Sequence, residues 1–117
     1  MIQFFGYDKC STCRKAKQHL TKLNVKFQDF DIVTNPPPRS LLAAILKAGD
    51  YELGQLFNRS GELYREMKMK DKLPTLSEAA ALDLLAKHGK LIKRPIVSDG
   101  KRFTVGHDEA VFKTIWG

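Results

Sequence analysis

A chain of 117 residues makes one domain, large enough for a real core and too short for two. With 43% hydrophobic and 28% charged residues it has the composition of a soluble globular protein, and its apolar runs fall far below a membrane span. The formal net charge of +7 points to anionic partners, but without a helix-turn-helix, zinc-finger or aromatic RNA-binding motif it does not point to direct nucleic-acid binding.

Residues 2–7 read as a strand that begins at once, which leaves no room for a signal peptide and implies a cytoplasmic location. Residues 11–23 read as an amphipathic helix: Cys13, Ala16, Leu20 and Leu23 share one face, and Arg14, Lys15, Lys17, Gln18, Thr21 and Lys22 the other. Between them lies Cys10-Ser11-Thr12-Cys13, which holds both cysteines of the chain. A strand thus delivers the first sulfur to a helix start, where the macrodipole and free N–H groups favour thiolate, and Lys9, Arg14 and Lys15 add positive charge. Cys10 is the expected exposed nucleophile and Cys13, at the start of the apolar stripe, the expected resolving thiol. In a reducing compartment a lone CxxC is more often catalytic or sensing than structural. Two blander readings stand beside this one. The pair is half of a zinc site, although His19, His88 and His107 are scattered and no second ligand pair exists; or the cysteines are inert core residues. No metal is expected.

Residues 26–32 read as a second strand, completing a parallel βαβ unit that ends at Pro36-Pro37-Pro38. A helical stretch follows. Leu41, Leu42, Ile45 and Leu46 make one helix stopped at Gly49; Leu53, Leu56 and Phe57 point to a second, and Leu63, Tyr64 and Met67 to a third. Lys68, Lys70 and Lys72, alternating with Met69 and Asp71, read as a solvated loop or edge. Thr75 to Glu78 spells a capping box, with Ser77 an equally good cap, before a helix faced by Ala81, Leu82 and Leu85 and closed by His88 and Gly89. Asp99-Gly100 signals a two-residue hairpin turn between 95–98 and 101–105, which sets Ile96 opposite Phe103. Asp108 caps a final helix carrying Val111, Phe112, Ile115 and Trp116, and His107 falls in the turn before it. Of the other polar residues near the start, His19 reads as a solvated helix residue; Tyr7 reads first as packing and Thr12 as a first-turn residue, although both lie close enough to hydrogen-bond near Cys10. The order is that of an α/β thioredoxin-like (glutaredoxin-like) domain spanning 1–117, a mixed sheet with a helical insertion at about 39–89 between its βαβ and ββα halves. In that fold the basic clusters 9–26 and 87–102 both approach the CxxC. Their rim suits an oxyanion, the carboxylates of glutathione or an acidic protein.

Cys10-Ser11-Thr12-Cys13-Arg14 with Lys15-Ala16, then Leu91-Ile92-Lys93-Arg94-Pro95-Ile96-Val97, Asp99-Gly100-Lys101-Arg102 and Val105-Gly106, resembles the arsenate reductase-related family that includes the Spx-type regulators. The resemblance runs end to end. It implies Cys10 as nucleophile, Arg94 as an anion-binding residue beside it, and Pro95 as a cis proline next to the site; Thr12, Arg14 and Pro95 are the candidate substrate-binding residues. Arsenate-reducing members hold the oxyanion with an arginine cluster and complete the reduction with glutathione and glutaredoxin, or with a thioredoxin-type system. In this chain the second of those arginines falls on Asn58, with Arg59 one residue out of step, and the third on Gly106; Gly6 replaces a histidine and Cys13 a serine. Two functions follow from the resemblance: a thiol-disulfide oxidoreductase with no bound cofactor, for which arsenate is a doubtful substrate, or a Spx-type regulator whose Cys10–Cys13 disulfide switches binding to the RNA polymerase alpha subunit's C-terminal domain. A third reading is an adaptor with incidental cysteines. The chain ends at Gly117 without the tail of Spx-type regulators, which tilts the expectation toward the redox enzyme.

Overall fold

Successive side chains of a strand face opposite sides of its sheet, so the paired apolar residues Phe4-Phe5 and Ile96-Val97 call for a sheet covered on both faces. The computed structural model, which describes residues 2–117, has that layout. In chain order it comprises β1 (Ile2–Gly6), α1 (Ser11–Lys22), β2 (Phe27–Asp31), α2 (Arg39–Ala48), α3 (Glu62–Glu66), α4 (Met69–Lys72), α5 (Glu78–Lys87), β3 (Ile96–Ser98), β4 (Phe103–Val105) and α6 (Glu109–Trp116). The sheet order is β2-β1-β3-β4. β1 and β2 run parallel and the other neighbours antiparallel, the mixed sheet of a thioredoxin-like domain.

On one face Phe4 and Val97 pack with Cys13, Ala16 and Leu20 of α1 and with Phe112 and Trp116 of α6. On the other, Phe5 and Ile96 pack with Leu42, Ile45 and Leu85 from the helical segment between the two halves and with Ile32 and Ile92, which flank it. Each large apolar side chain so buried contributes about 1.5–3 kcal/mol, so both layers are needed to hold the central strands.

The helical segment departs from its sequence pattern in three places. Leu53–Leu56 is a single 3-10 turn, and Phe57 beyond it is extended and bridges antiparallel to Ile92, so the expected second helix is absent. Residues 68–72, expected to be a solvated loop, form α4 after a left-handed Lys68, because Met69 is fully buried in the core and pulls the chain inward. The cap of α5 is Ser77, whose side chain accepts the Ala80 N–H, while Thr75 lies in a preceding 3-10 turn and bonds back to the Lys72 carbonyl.

The hairpin also differs in register. Ile96, expected opposite Phe103, lies opposite Val105, and Phe103 pairs with Ser98. The Asp99 carboxylate accepts the N–H groups of Lys101 and Arg102, which draws both residues into the connection and lengthens it from two residues to the four of 99–102. A shift of two residues leaves every side chain on its original face. Ile96, Phe103 and Val105 therefore still meet the same core layer.

Candidate active site

β1 ends at Gly6, and a turn closed by the Cys10 N–H on the Tyr7 carbonyl (3.1 Å) brings the chain to the start of α1. Cys10 is the N-cap. Its backbone is extended and its Sγ accepts the Cys13 N–H at 3.3 Å, so the sulfur fills the role that a hydroxyl or carboxylate oxygen takes at other helix starts. Gly6 leaves room for the Phe4 ring beside the site: a β-carbon there would lie 2.5 Å from that ring, and at an ordinary 3.4 Å from the Cys13 β-carbon.

The two thiols sit in opposite environments. Cys10 is half-buried and Cys13 is buried. Burial alone raises the Cys10 pKa, but hydrogen bonds from the Cys13 thiol and backbone, with the hydrogen bond and charge of Arg94, outweigh it and hold the pKa below the ordinary thiol value. For Cys13, burial comes first and the hydrogen bond to the Cys10 sulfur second, and together they push its pKa up to about 12 despite the Tyr7 backbone.

Arg94 is half-buried and stands over the Tyr7 ring at 5.2 Å, so the tyrosine packs against the guanidinium. The Arg94-Pro95 bond is cis and Pro95 is buried at the head of β3. A polar hollow of about 280 Å³ opens over Cys10, floored by Ser11 and Thr12 and rimmed by Lys9, Lys93 and Arg94. Thr12 is thus at the site. Arg14 is not: its guanidinium bonds the Asp8 carbonyl at 3.2 Å, drawn aside by the loop that precedes the helix.

The remaining wall of the hollow is Asn58, Ser60 and Gly61, from the helical segment. Asn58 stands where the resemblance would put an arginine; Ser60 and Gly61 carry no signal in the sequence that points to the site. The backbone puts them there, because the Asn58 N–H bonds the Leu91 carbonyl and the Lys93 N–H the Leu56 carbonyl, each at 2.7 Å. Arg59 turns away across Gly54 and lines a separate hollow with Tyr51 and Val105. Where the third arginine would stand, Gly106 has a left-handed backbone, and a β-carbon on it would lie 3.3 Å from the Lys93 side chain. Among the described residues Arg94 is the one guanidinium lining the hollow.

The two basic clusters reach this rim only in part. Lys9, Lys93 and Arg94 line it, but Lys17 pairs with Asp29 and Arg102 with Asp99 at a distance along the sheet. His19 is not solvated as expected. Its Nδ1 is 3.1 Å from the Nε2 of His107, and its ring stacks on Phe112, because the start of α6 packs across α1. Among the described residues no three His, Cys, Asp or Glu side chains converge as metal ligands, and no helix is long and apolar enough to cross a membrane.

The ArsC family model matches residues 5–115. A Bacillus subtilis protein called YusI is 41% identical over 115 residues, covering 98% of both chains. The global transcriptional regulator Spx of Streptococcus pyogenes is 31% identical over 109 residues, covering 93% of this chain and 80% of its own. The crystal structure of a possible arsenate reductase from Streptococcus mutans superposes with a TM-score of 0.85 at 42% identity, covering 92% of this chain and 91% of that one.

Proposed function

This chain belongs to the ArsC family, and from that premise we propose that it is a thiol-disulfide oxidoreductase in which Cys10 attacks and Cys13 resolves. The observation that carries the reading is the Cys10 sulfur capped by the Cys13 N–H, beside Arg94 and above a buried second thiol. In the first step the Cys10 thiolate attacks one sulfur of a substrate disulfide; a new S–S bond forms and the other sulfur leaves as thiolate with the bonding pair, then takes a proton from water. That step removes the Cys10 thiolate, which after burial holds the proton on Cys13 first through their hydrogen bond and then through its charge. Cys13 then gives its proton to solvent, attacks the Cys10 sulfur and expels the second substrate thiolate. The substrate disulfide is reduced to two thiols and the protein dithiol is oxidised to the Cys10–Cys13 disulfide, which glutathione or the dithiol of a glutaredoxin or thioredoxin re-reduces. Thr12 lines the hollow over the attacking sulfur and Arg94 steadies its charge, while Pro95, buried at the head of β3, carries Arg94 on its N-terminal side.

A second reading rests on the similarity to Spx: the same disulfide serves as a switch for binding the RNA polymerase alpha subunit. Trapping separates the two. Cys13→Ser protein exposed to a disulfide is expected to accumulate one mixed disulfide on Cys10, and brief iodoacetamide treatment of the reduced wild type to label Cys10 first. Labelling of Cys13 ahead of Cys10 would overturn the assignment of roles. Capture of polymerase alpha subunit by only one redox state would favour the switch.

A further inference from the structure

The hollow over Cys10 does not end at Arg94. It opens into a second one of about 440 Å³ that shares Lys9, Asn58, Gly61 and Arg94 with it and runs on to Lys90. Four cations line this continuous groove, Lys9, Lys90, Lys93 and Arg94, against one carboxylate, that of Glu62. Lys9, Lys90 and Lys93 are exposed, and among the described residues none of the three is in an ion pair with an acid. A small anion tethered to the attacked sulfur is served by Lys9, Lys93 and Arg94, which rim the hollow over Cys10. Lys90, on the turn Gly89–Leu91 past Arg94, is reached only by a ligand that extends away from the sulfur. We propose that the disulfide this site takes belongs to a polypeptide, that acidic residues flanking its cysteine lie along the groove, and that Lys90 and Lys93 select for them.

The inference rests on the exchange reading above. Cys10 forms its bond to the peptide sulfur while the other sulfur of that disulfide leaves as thiolate, and the groove holds the acidic flank in register for this displacement. Strongly hydrated lysine ammoniums suit a mobile run of Asp and Glu better than one fixed bidentate anion, which is the province of arginine. Opposed charge of this kind raises encounter rates and is screened by salt.

The test uses the Cys13→Ser protein and 2-pyridyl disulfides of three cysteine peptides, flanked by Asp and Glu, by Ser and Gly, or by Lys, with release of thiopyridone as the readout. The acidic peptide is expected to react at least about tenfold faster than the neutral one at low ionic strength, with the gap closing as salt rises. Lys90→Glu and Lys93→Glu are each expected to shrink that ratio severalfold, and Lys90→Arg to preserve it. Equal rates for acidic and neutral peptides would overturn the proposal, as would an acidic preference untouched by Lys90→Glu. The 2-pyridyl disulfide of glutathione separates the small anion from the peptide: a rate matching the acidic peptide's, with both insensitive to Lys90→Glu, would also defeat it. If the neutral peptide reacts with the protein no faster than with an unstructured cysteine peptide, the exchange reading itself fails and the charge selection falls with it.

Discussion

Cys10 holds its helix and its chemistry with one atom. Ser77 and Asp108 cap α5 and α6 through side-chain oxygens, and Cys10 caps α1 through sulfur, so a hydroxyl can replace the cap without replacing the nucleophile. Cys10→Ser is therefore expected to abolish disulfide exchange while changing unfolding free energy by no more than about 1 kcal/mol, as measured by urea denaturation. Loss of the fold would show that the sulfur has a further packing role. Arg94 lowers the Cys10 pKa against the opposing effect of burial, so removing it moves the titration upward. In Arg94→Ala the pH profile of Cys10 alkylation is expected to shift to higher pH, with a severalfold slower reaction near neutrality. An unmoved profile would remove Arg94 from the site. With Asn58 and Gly106 where guanidinium groups are needed and Arg59 across Gly54, arsenate turnover with glutathione and glutaredoxin is expected to be weak. Each missing oxyanion donor costs roughly a hundredfold or more in rate. Vigorous turnover would mean that Lys9 and Lys93 replace them.

Two glycines that end helices do so for different reasons, and substitution separates them. Gly49 closes α2 in a left-handed backbone with open space around it, so Gly49→Ala is expected to cost about 1 kcal/mol in conformational strain. Gly89 follows α5 where the chain presses on the end of β2, and a β-carbon would collide with the Ile32 carbonyl oxygen. Gly89→Ala forces two backbones apart and is expected to cost more, about 1–3 kcal/mol by urea denaturation. The reverse ranking would mean that the 89–91 turn moves freely, and the placement of Lys90 along the groove would lose its support. Sequence pattern served well for α1, α2, α5 and α6, whose apolar stripes and end signals agree, and it set Cys10 and Cys13 at the junction of a strand and a helix because those signals are local. Arg94 beside Cys10 was legible only through the family resemblance, since about eighty residues separate the two in sequence. It failed where one distant contact outweighs local pattern. Met69 is a lone apolar residue among lysines, yet its burial makes α4; Phe57 has a helical spacing, yet Ile92 draws it into a bridge. Ser60 and Gly61 reach the site only through that bridge, and Arg14 leaves it through a bond to a backbone carbonyl that no side-chain pattern encodes.

The molecule closes where its two ends meet, at His19 of α1 and His107 before α6. The two imidazoles are 3.1 Å apart and half-buried against Phe112, 88 residues apart in sequence. One neutral ring can accept the other's N–H, but two imidazolium ions at that separation repel. The groups facing the pair divide: Lys15 opposes protonation of His107 and the nearby Glu109 and Asp108 favour it, while burial comes first and the charge of His19 second, and the balance lowers the His107 pKa. A histidine whose folded pKa is depressed takes up its proton more readily unfolded, so its contribution is present above the ordinary histidine range and is lost as pH falls through the folded pKa. The Asp99 carboxyl, held at about 2 by the Arg102 and Lys101 N–H groups and the Arg102 guanidinium despite some burial, keeps the hairpin turn out of this window. Urea midpoints are therefore expected to fall between about pH 7 and about pH 5, and His107→Gln to flatten that fall while lowering the midpoint at the higher pH. A wild-type midpoint that rises on acidification, or a fall left intact in His107→Gln, would show that the pair does not govern how the C-terminal helix is held to the helix that begins at Cys10.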